Sequence, residues 1–486
     1  MHIFNVRLGF ANNSSSSHSI IILPKNKKAK TSSDAASGDF GWGFFTAADE
    51  KSKKNYFAIN LYNNLESIFG AEIAKKMCED IFGTVPNGYV DHQSVLSFPL
   101  SFDRKSVNLN FMQDLNKYLE DNNVVICGGN DNTAEEHPLI KTGKESKLSI
   151  LKTVGSLIAR KSKIGDFYTF FNPANGAKLR FSLNQDIIPE KDLVPELVDV
   201  KITDFCPFNC AFCYQNSTLN GKHADLKFLE QVANELAKNE VFEVALGGGE
   251  TTLHPQFPQV VKMFAEKNIT VNFTTKNLSW LKKPWAKDVL SQIGSFAYSI
   301  SSSEDISYLN SEYNNFKNKH NDVLANDTYY HDSRNKINAQ LVMGTVNEEE
   351  FEKILATAAQ NSISITLLGY KKNGRGDSYS PYDYQNWFDI VKKIEKKYGY
   401  FKVGVDTALA TEFKDILAKN VKKELYHLQE GGFSMYIDAV QQTMAPSSYV
   451  GLEKSKPFDE QWINNFSDML TMPNNHKKDF KIKVAF

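Results

Sequence analysis

Three cysteines within eight residues, Cys206-Pro-Phe-Asn-Cys210-Ala-Phe-Cys213, are the part of this chain best suited to chemistry. Thiolates are soft donors that suit iron–sulfur clusters or zinc. They follow an apolar, β-branched run (Leu197, Val198, Val200, Ile202) whose pattern predicts a buried strand. A tight loop after a strand can point three thiolates at one centre. A closed cubane cluster takes four cysteines, so three leave one iron open to a ligand from outside the protein. A structural zinc site asks for a fourth Cys or His in a second nearby pair, and the nearest histidine, His223, fits no such spacing. Three buried, reduced thiols without a metal are the plain alternative.

A second constellation lies one strand–helix unit downstream. Val241–Leu246 predicts a strand, and Gly247-Gly248-Gly249-Glu250 follows it directly. Glycines allow backbone groups to approach a ligand closely, and Glu250 offers a carboxylate to an ammonium group. Thr251-Thr-Leu-His-Pro255 then leads into a helix. A lone glycine-rich turn is an ordinary strand-to-helix connection; its position after the cysteine loop is what gives it weight.

Taken together, CxxxCxxC after one strand and GGGE-x-x-L-H-P after the next resemble the radical S-adenosylmethionine (SAM) enzymes, over about residues 196–400. The resemblance implies that Cys206, Cys210 and Cys213 hold a [4Fe–4S] cluster whose fourth iron chelates the amino and carboxylate groups of SAM. An electron then cleaves SAM to methionine and a 5′-deoxyadenosyl radical that abstracts a substrate hydrogen. It also implies a reductant such as flavodoxin or ferredoxin. Further positions carry over: Gly248, Gly249 and Glu250 at the SAM end of the second strand, Phe212 beside the adenine, and Thr274 and Asn277 after the third strand. Ser299 and Ser301 match polar contacts to the ribose or carboxylate, and Leu368 matches backbone contact with the adenine. For Phe212 a core aromatic is the alternative. The basic run Lys371-Lys-Asn-Gly-Arg375-Gly376 is either an exposed loop or a contact for an acidic substrate.

The elements that must position these residues alternate strand and helix from residue 196, which implies parallel βα units. Strands are expected at 198–203, 241–246, 269–275, 295–301, 337–343 and 363–369. Helices are expected near 226–239, 256–267, 284–293, 304–318, 347–360 and 382–397, and residues 320–336 read as an inserted loop. Ligands of parallel barrels bind at C-terminal strand ends, where the cysteines, Gly247–Glu250 and Thr274–Asn277 all fall. The fold class is therefore α/β. It comprises a partial (β/α)6 barrel over 196–400, an α+β domain of unassigned type over 1–195, and a small SPASM/twitch-like cap over 401–486.

In the N-terminal part, 3–9 reads as a strand, Ala11–His18 as a loop that is either bland or substrate-facing through His18, and Ile20–Leu23 as an apolar run. Residues 25–39 read as a mobile loop and Tyr56–Leu61 as a strand. Leu65–Phe82 shows helical spacing and Leu109–Asp121 an amphipathic helix. Val124–Cys127 reads as a strand running into the turn Gly128–Asn132. Phe167–Phe171 and Ala177–Leu183 read as a hairpin.

The C-terminal stretches Val403–Leu409, Glu430–Asp438 and Thr443–Tyr449 follow the order of the SPASM extension of peptide-modifying members of the family. That extension carries auxiliary-cluster cysteines near positions occupied here by Ala408, Gly431 and Ser447, and no cysteine follows Cys213. One cluster is expected, with a hairpin at 433–445 kept as a structural cap. The Lys-rich tail 474–486 reads as a further edge strand.

Composition bounds the rest. The chain has 486 residues, 41% hydrophobic and 23% charged, as expected of a globular protein of two or three domains. A net charge of −1 offers no whole-protein attraction for nucleic acid. Five cysteines, three of them clustered, argue against a disulfide framework and leave Cys78 and Cys127 as small core residues. No apolar run reaches the ~18–20 residues of a membrane span, and a reducing, cytoplasmic setting is expected. No acid–base pair stands out, so the catalytic side chain stays unnamed. The expected substrate is a peptide or protein side chain. A nucleotide, nucleobase or small metabolite is the alternative, suggested by Gly128–Asn132 and the basic loop. A non-enzymatic iron–sulfur or zinc protein is the third reading.

Overall fold

The computed structural model describes residues 2–7, 17–23, 27–41, 43–91, 96–129, 144–147, 157–183, 191–320, 336–383, 385–399, 401–428, 431–449 and 455–471. It divides into two units, Met1–Ser162 with Asp166–Ile188, and Lys163–Gly165 with Pro189–Phe486.

The first unit contains strands β1 (His2–Arg7), β2 (Ser17–Ile22), β3 (Asp39–Phe40), β4 (Phe45–Ala47), β5 (Tyr89–Val90), β6 (Val124–Gly129), β7 (Lys144–Lys147), β8 (Ile158–Lys161), β9 (Tyr168–Phe171) and β10 (Lys178–Ser182). Its helices are α1 (Ser33–Ser37), α2 (Glu50–Phe69), α3 (Ala71–Phe82) and α4 (Leu109–Leu119). Two antiparallel sheets run β1-β10-β9-β8 and β4-β6-β2-β7. Phe111 of α4 meets Tyr168 and Phe170 edge-on, at 5.3 and 5.0 Å between ring centres. The expected helix at 109–121, strand at 124–127 and hairpin at 167–183 are α4, β6 and the β9–β10 pair.

Three expectations change. Tyr56–Leu61 is helical, within α2, rather than a strand. Asp49 caps α2 by accepting from the Ser52 N–H at 2.8 Å. All six residues are buried, so this stretch of the helix shows no polar stripe and its aromatic and aliphatic composition mimics a buried strand. The helical spacing of 65–82 is cut by Gly70, at φ +80°, into the end of α2 and the separate α3. Within 25–39, Ser33–Ser37 forms α1, capped by Ser32, and β3 follows. There the Ser/Asp composition marks a helix start. His18 lies in β2 opposite Gly128 of β6. Residues 8–16, 130–132, 321–335 and 472–486, which held other expectations, lie outside the described residues.

The second unit is built on one ten-stranded sheet. Its strands are β11 (Leu197–Thr203), β12 (Glu243–Gly248), β13 (Thr270–Thr275), β14 (Ile293–Ser299), β15 (Ile337–Val342), β16 (Ser364–Leu368), β17 (Val403–Val405), β18 (Ser434–Asp438), β19 (Thr443–Ala445) and β20 (Lys456–Pro457). The order is β17-β16-β15-β14-β13-β12-β11-β18-β19-β20. β11 to β17 pair in parallel, β18 joins the free side of β11 in parallel, and β19 and β20 are antiparallel. Helices α5 (Leu226–Lys238), α6 (Phe257–Ala265), α7 (Ala286–Gln292), α8 (Ser303–Lys319), α9 (Glu348–Gln360) and α10 (Trp387–Tyr398) connect the first strands in the expected places. This is the partial barrel. Val403–Val405 adds a seventh parallel strand, and the hairpin expected at 433–445 continues the sheet beside β11.

The sheet has two unlike faces, because side chains alternate along a strand. Val198, Val200, Val244, Leu246, Val271, Phe273, Phe296, Leu341, Ile365 and Leu367 are buried. They pack under the helices, as Phe273 does on Phe257 of α6 and Phe296 on Tyr313 of α8. Apart from the small Ala245 and Ala297, the intervening positions are mostly polar, and Asp199, Asn272, Thr274, Ser295, Ser299, Asn338, Gln340, Ser364 and Thr366 are only half-buried. A closed (β/α)8 barrel fills this face with branched apolar side chains; here it is a hydrogen-bonding surface.

Candidate cluster and cofactor site

The cysteine loop is shaped by its own backbone. Residues 204–222 leave β11 and fold back on it. The Asp204 N–H donates to Lys222 O at 2.8 Å, and the Cys206 N–H donates to Thr218 O at 2.9 Å. Asn209 and Asn216 take positive φ, 47° and 54°, a conformation that asparagine tolerates. The Cys213 N–H donates to Cys210 O at 3.2 Å, closing a turn between the second and third cysteines. All three thiols are free and half-buried. Burial raises the Cys206 thiol above its ordinary pKa, against a backbone hydrogen bond from Phe208, and it also feels Glu250, Cys210 and Cys213. Among the described residues no three His, Cys, Asp or Glu converge on one metal ion. A cubane does not require that, because each thiolate binds its own iron. Three soft donors on one short loop fit such a cluster with one corner left over.

The glycine turn is explained mainly by backbone packing. At Gly248, φ is +113°, and a Cβ there would lie 2.2 Å from Thr203 O; at Gly249 it would lie 2.2 Å from Phe205 O. The Gly249 and Glu250 N–H groups donate to those same carbonyls at 2.7 and 2.8 Å. Gly248 and Gly249 therefore fasten the end of β12 to the chain entering the cysteine loop. Gly247 pairs with Lys201 in register and has open space where a Cβ would sit. It is the glycine that leaves the polar face clear, and only strand register could have revealed it.

Glu250 is 2% exposed. Its Oε1 accepts from the Thr252 hydroxyl at 2.7 Å, the Thr275 hydroxyl at 2.5 Å and the Thr252 N–H at 3.2 Å, and Oε2 accepts from the Lys276 N–H at 2.8 Å. The carboxylate thus ties the end of β12 to the end of β13. Burial raises its pKa, and these donors oppose the rise. Asn277 caps the turn after β13: its Oδ1 accepts from Ser279, and its amide donates to the Thr252 hydroxyl. Thr274 donates to Gln340 at 3.2 Å across the polar face. Ser299 closes β14. Ser301, two residues beyond, is exposed and donates to Asp305. Leu368 ends β16, and its carbonyl accepts from the Met343 N–H. Phe212 packs edge-on against Tyr379.

Several contacts had no signal in the residue types. Lys201, buried on β11, reaches Asp204 and, at 3.1 Å, Asp438 of β18. His223 bonds the Thr203 hydroxyl at 2.9 Å and meets His254 edge-on; burial lowers the pKa of both imidazoles. The Lys371 ammonium lies 4.8 Å from the ring centres of both Tyr214 and Tyr449, and Tyr214 shares a hydrogen bond with Ser448. On the polar face, desolvation raises the half-buried Asp199 to about 6, against the pull of Lys371 and with Glu243 and Asp406 adding to the rise.

Residues 200–358 match the family model described as the radical SAM superfamily. No curated protein matches the chain. Among solved structures it is similar to Streptococcus suis SuiB bound to its precursor peptide SuiA, at 13% identity and a TM-score of 0.48, over 64% of this chain and 87% of that one. It is also similar to anSMEcpe with bound AdoMet, at 13% identity and 0.39, over 58% and 82%. A third is coproporphyrinogen III oxidase (HemN) from Escherichia coli, at 15% identity and 0.31, over 57% and 70%.

Proposed function

We propose, from the premise that this chain belongs to the radical SAM superfamily through residues 200–358, that Cys206, Cys210 and Cys213 hold a single [4Fe–4S] cluster and that the enzyme modifies a peptide or protein side chain. Once reduced, the cluster with bound SAM supplies a 5′-deoxyadenosyl radical for hydrogen abstraction. The chain's own residues do the rest. Phe212, Thr274, Ser299 and the backbone at Leu368 face the cofactor. Gly248, Gly249, Glu250, Asn277 and Ser301 hold the strand ends that shape its pocket. The polar side chains between β11 and β16 hold the substrate.

The observation that carries the peptide reading is the place of the SPASM-like segment. Its hairpin is pinned to β11 through Lys201 and Asp438, and its continuation meets Tyr214, just after the third cysteine, through the Ser448 hydroxyl and shares Lys371 with it through Tyr449. The basic loop that suggested a nucleotide is engaged instead by Tyr214, Tyr449 and the cysteine loop. Among the described residues no helix is long and apolar enough to cross a membrane, and we place the enzyme in the reducing cytoplasm, served by a flavodoxin or ferredoxin.

The test uses anaerobically reconstituted protein with reductant, labelled SAM and short peptides encoded beside it. Labelled 5′-deoxyadenosine together with a mass change in one peptide is expected. Cys206→Ala, Cys210→Ala and Cys213→Ala should each abolish both. Turnover of SAM that leaves every candidate peptide unchanged would sink the peptide reading.

A further inference from the structure

The cysteine loop is also held from outside, by a residue beyond the segment that matches the family. We infer that Arg375 is the positioning residue of this loop, a fixed cation that sets its shape and favours the reduced state of the cluster it carries. The inference rests on the reading that the three cysteines hold that cluster.

Four hydrogen bonds join Arg375 to the loop. Its Nε donates to Cys210 O at 3.0 Å, and its Nη1 donates to Ser217 O at 3.0 Å and to Asn216 Oδ1 at 3.3 Å. Its backbone N–H donates to Cys213 O at 3.1 Å. One residue thus binds the carbonyls of two of the three cysteines and the two residues that close the loop. The forked guanidinium suits this task, because it offers several donors in fixed geometry on a half-buried side chain.

The flanking glycines carry the same message independently. Gly374 has φ +56°, and a Cβ there would lie 2.7 Å from Tyr214 O and 2.9 Å from Cys213 O. At Gly376 a Cβ would lie 3.2 Å from Phe212 O and 2.8 Å from Lys371 O. The Tyr370 hydroxyl donates to Gly376 O at 2.5 Å and steadies the turn. Residues 374–376 therefore lie backbone to backbone on Phe212–Tyr214, with Arg375 facing the loop. Gly-Arg-Gly is a docking edge, where the sequence offered either an exposed loop or a contact for an acidic substrate.

The consequence for the cluster is electrostatic. Net charge, hydrogen bonds and exposure set the potentials of iron–sulfur clusters. Reduction adds a negative charge, which a fixed cation nearby stabilises.

Arg375→Gln and Arg375→Lys separate shape from charge. For each, iron and labile sulfide, chelator-driven iron release, the midpoint potential and the spectrum of the reduced cluster are measured beside wild type. Arg375→Gln should release iron about tenfold faster, the size of one charge-assisted hydrogen bond, and show a more negative midpoint potential. Arg375→Lys should keep the potential near wild type yet release iron as fast as Arg375→Gln. In the cluster-free chain, both variants should be cut by protease within 206–217 faster than wild type; this readout survives if a variant fails to load. Wild-type potential, release rate and proteolysis in Arg375→Gln would overturn the inference. A wild-type chain that takes up no cluster, with faster proteolysis of Arg375→Gln, would instead overturn the cluster reading and leave the positioning role standing.

Discussion

A carboxylate that accepts four hydrogen bonds inside the protein has few lone pairs left to offer. Glu250 is in that position, so its first role is to join β12 to β13. Glu250→Ala leaves Thr252 and the Lys276 amide without their acceptor and Thr275 with only the Asn277 carbonyl, and should destabilise cluster-free protein by about 2–4 kcal/mol in urea unfolding. A loss below about 1 kcal/mol would mean that the internal bonds are incidental and the carboxylate belongs to a ligand. Asp199 shows how burial shapes pH dependence. Its pKa is raised to about 6 from an ordinary 3.8, chiefly by burial. The folded state therefore holds this proton more tightly than the unfolded chain does. The contribution to stability is fully present below about pH 4 and is lost as pH rises through about 6. Asp199→Asn should remove that slope, match wild type near pH 4 and gain about 1–3 kcal/mol on it above about pH 6. Equal pH profiles for the two proteins would place Asp199 in freely solvated surroundings.

Elements carry the charges that single residues cannot stabilise alone. Lys201 is buried on β11, and its ammonium serves Asp204, at the mouth of the cysteine loop, and Asp438, on the hairpin strand β18. Lys201→Ala strands two carboxylates and should cost about 3–5 kcal/mol in thermal or urea unfolding. A cost under about 1 kcal/mol would mean that the hairpin is held by its strand pairing alone. Most of this element layer could be read from the chain. Strands 198–203, 269–275 and 337–343 stood out because β-branched and apolar residues repeat between helical stretches, and the cysteines and glycines stood at their ends. The two unlike sheet faces were not legible, because only strand register aligns Asp199, Asn272 and Ser295 on one side. What could not be read depends on contacts distant in sequence. Arg375 and Cys210 are 165 positions apart, Lys201 and Asp438 are 237, and no local spacing links them. The mistaken strand at Tyr56–Leu61 has a local cause: a helical stretch buried on every side loses the polar stripe that identifies helices.

At the scale of the whole molecule, the chain holds two compact units, and the three cysteines of the CxxxCxxC loop lie in the second. A ligand that binds only the folded second unit stabilises that unit by mass action. Calorimetry of cluster-free and cluster-loaded protein should therefore resolve two transitions, of which loading raises one. Both rising together would show that the units unfold as one. The distribution of sulfur adds a practical handle. Cys78 and Cys127 are fully buried in the first unit, and burial pushes both thiols up to about 12, so neither offers thiolate to an alkylating reagent at neutral pH. Every reactive sulfur in the native chain then belongs to the CxxxCxxC loop, and counting iodoacetamide adducts by intact mass reads site occupancy molecule by molecule.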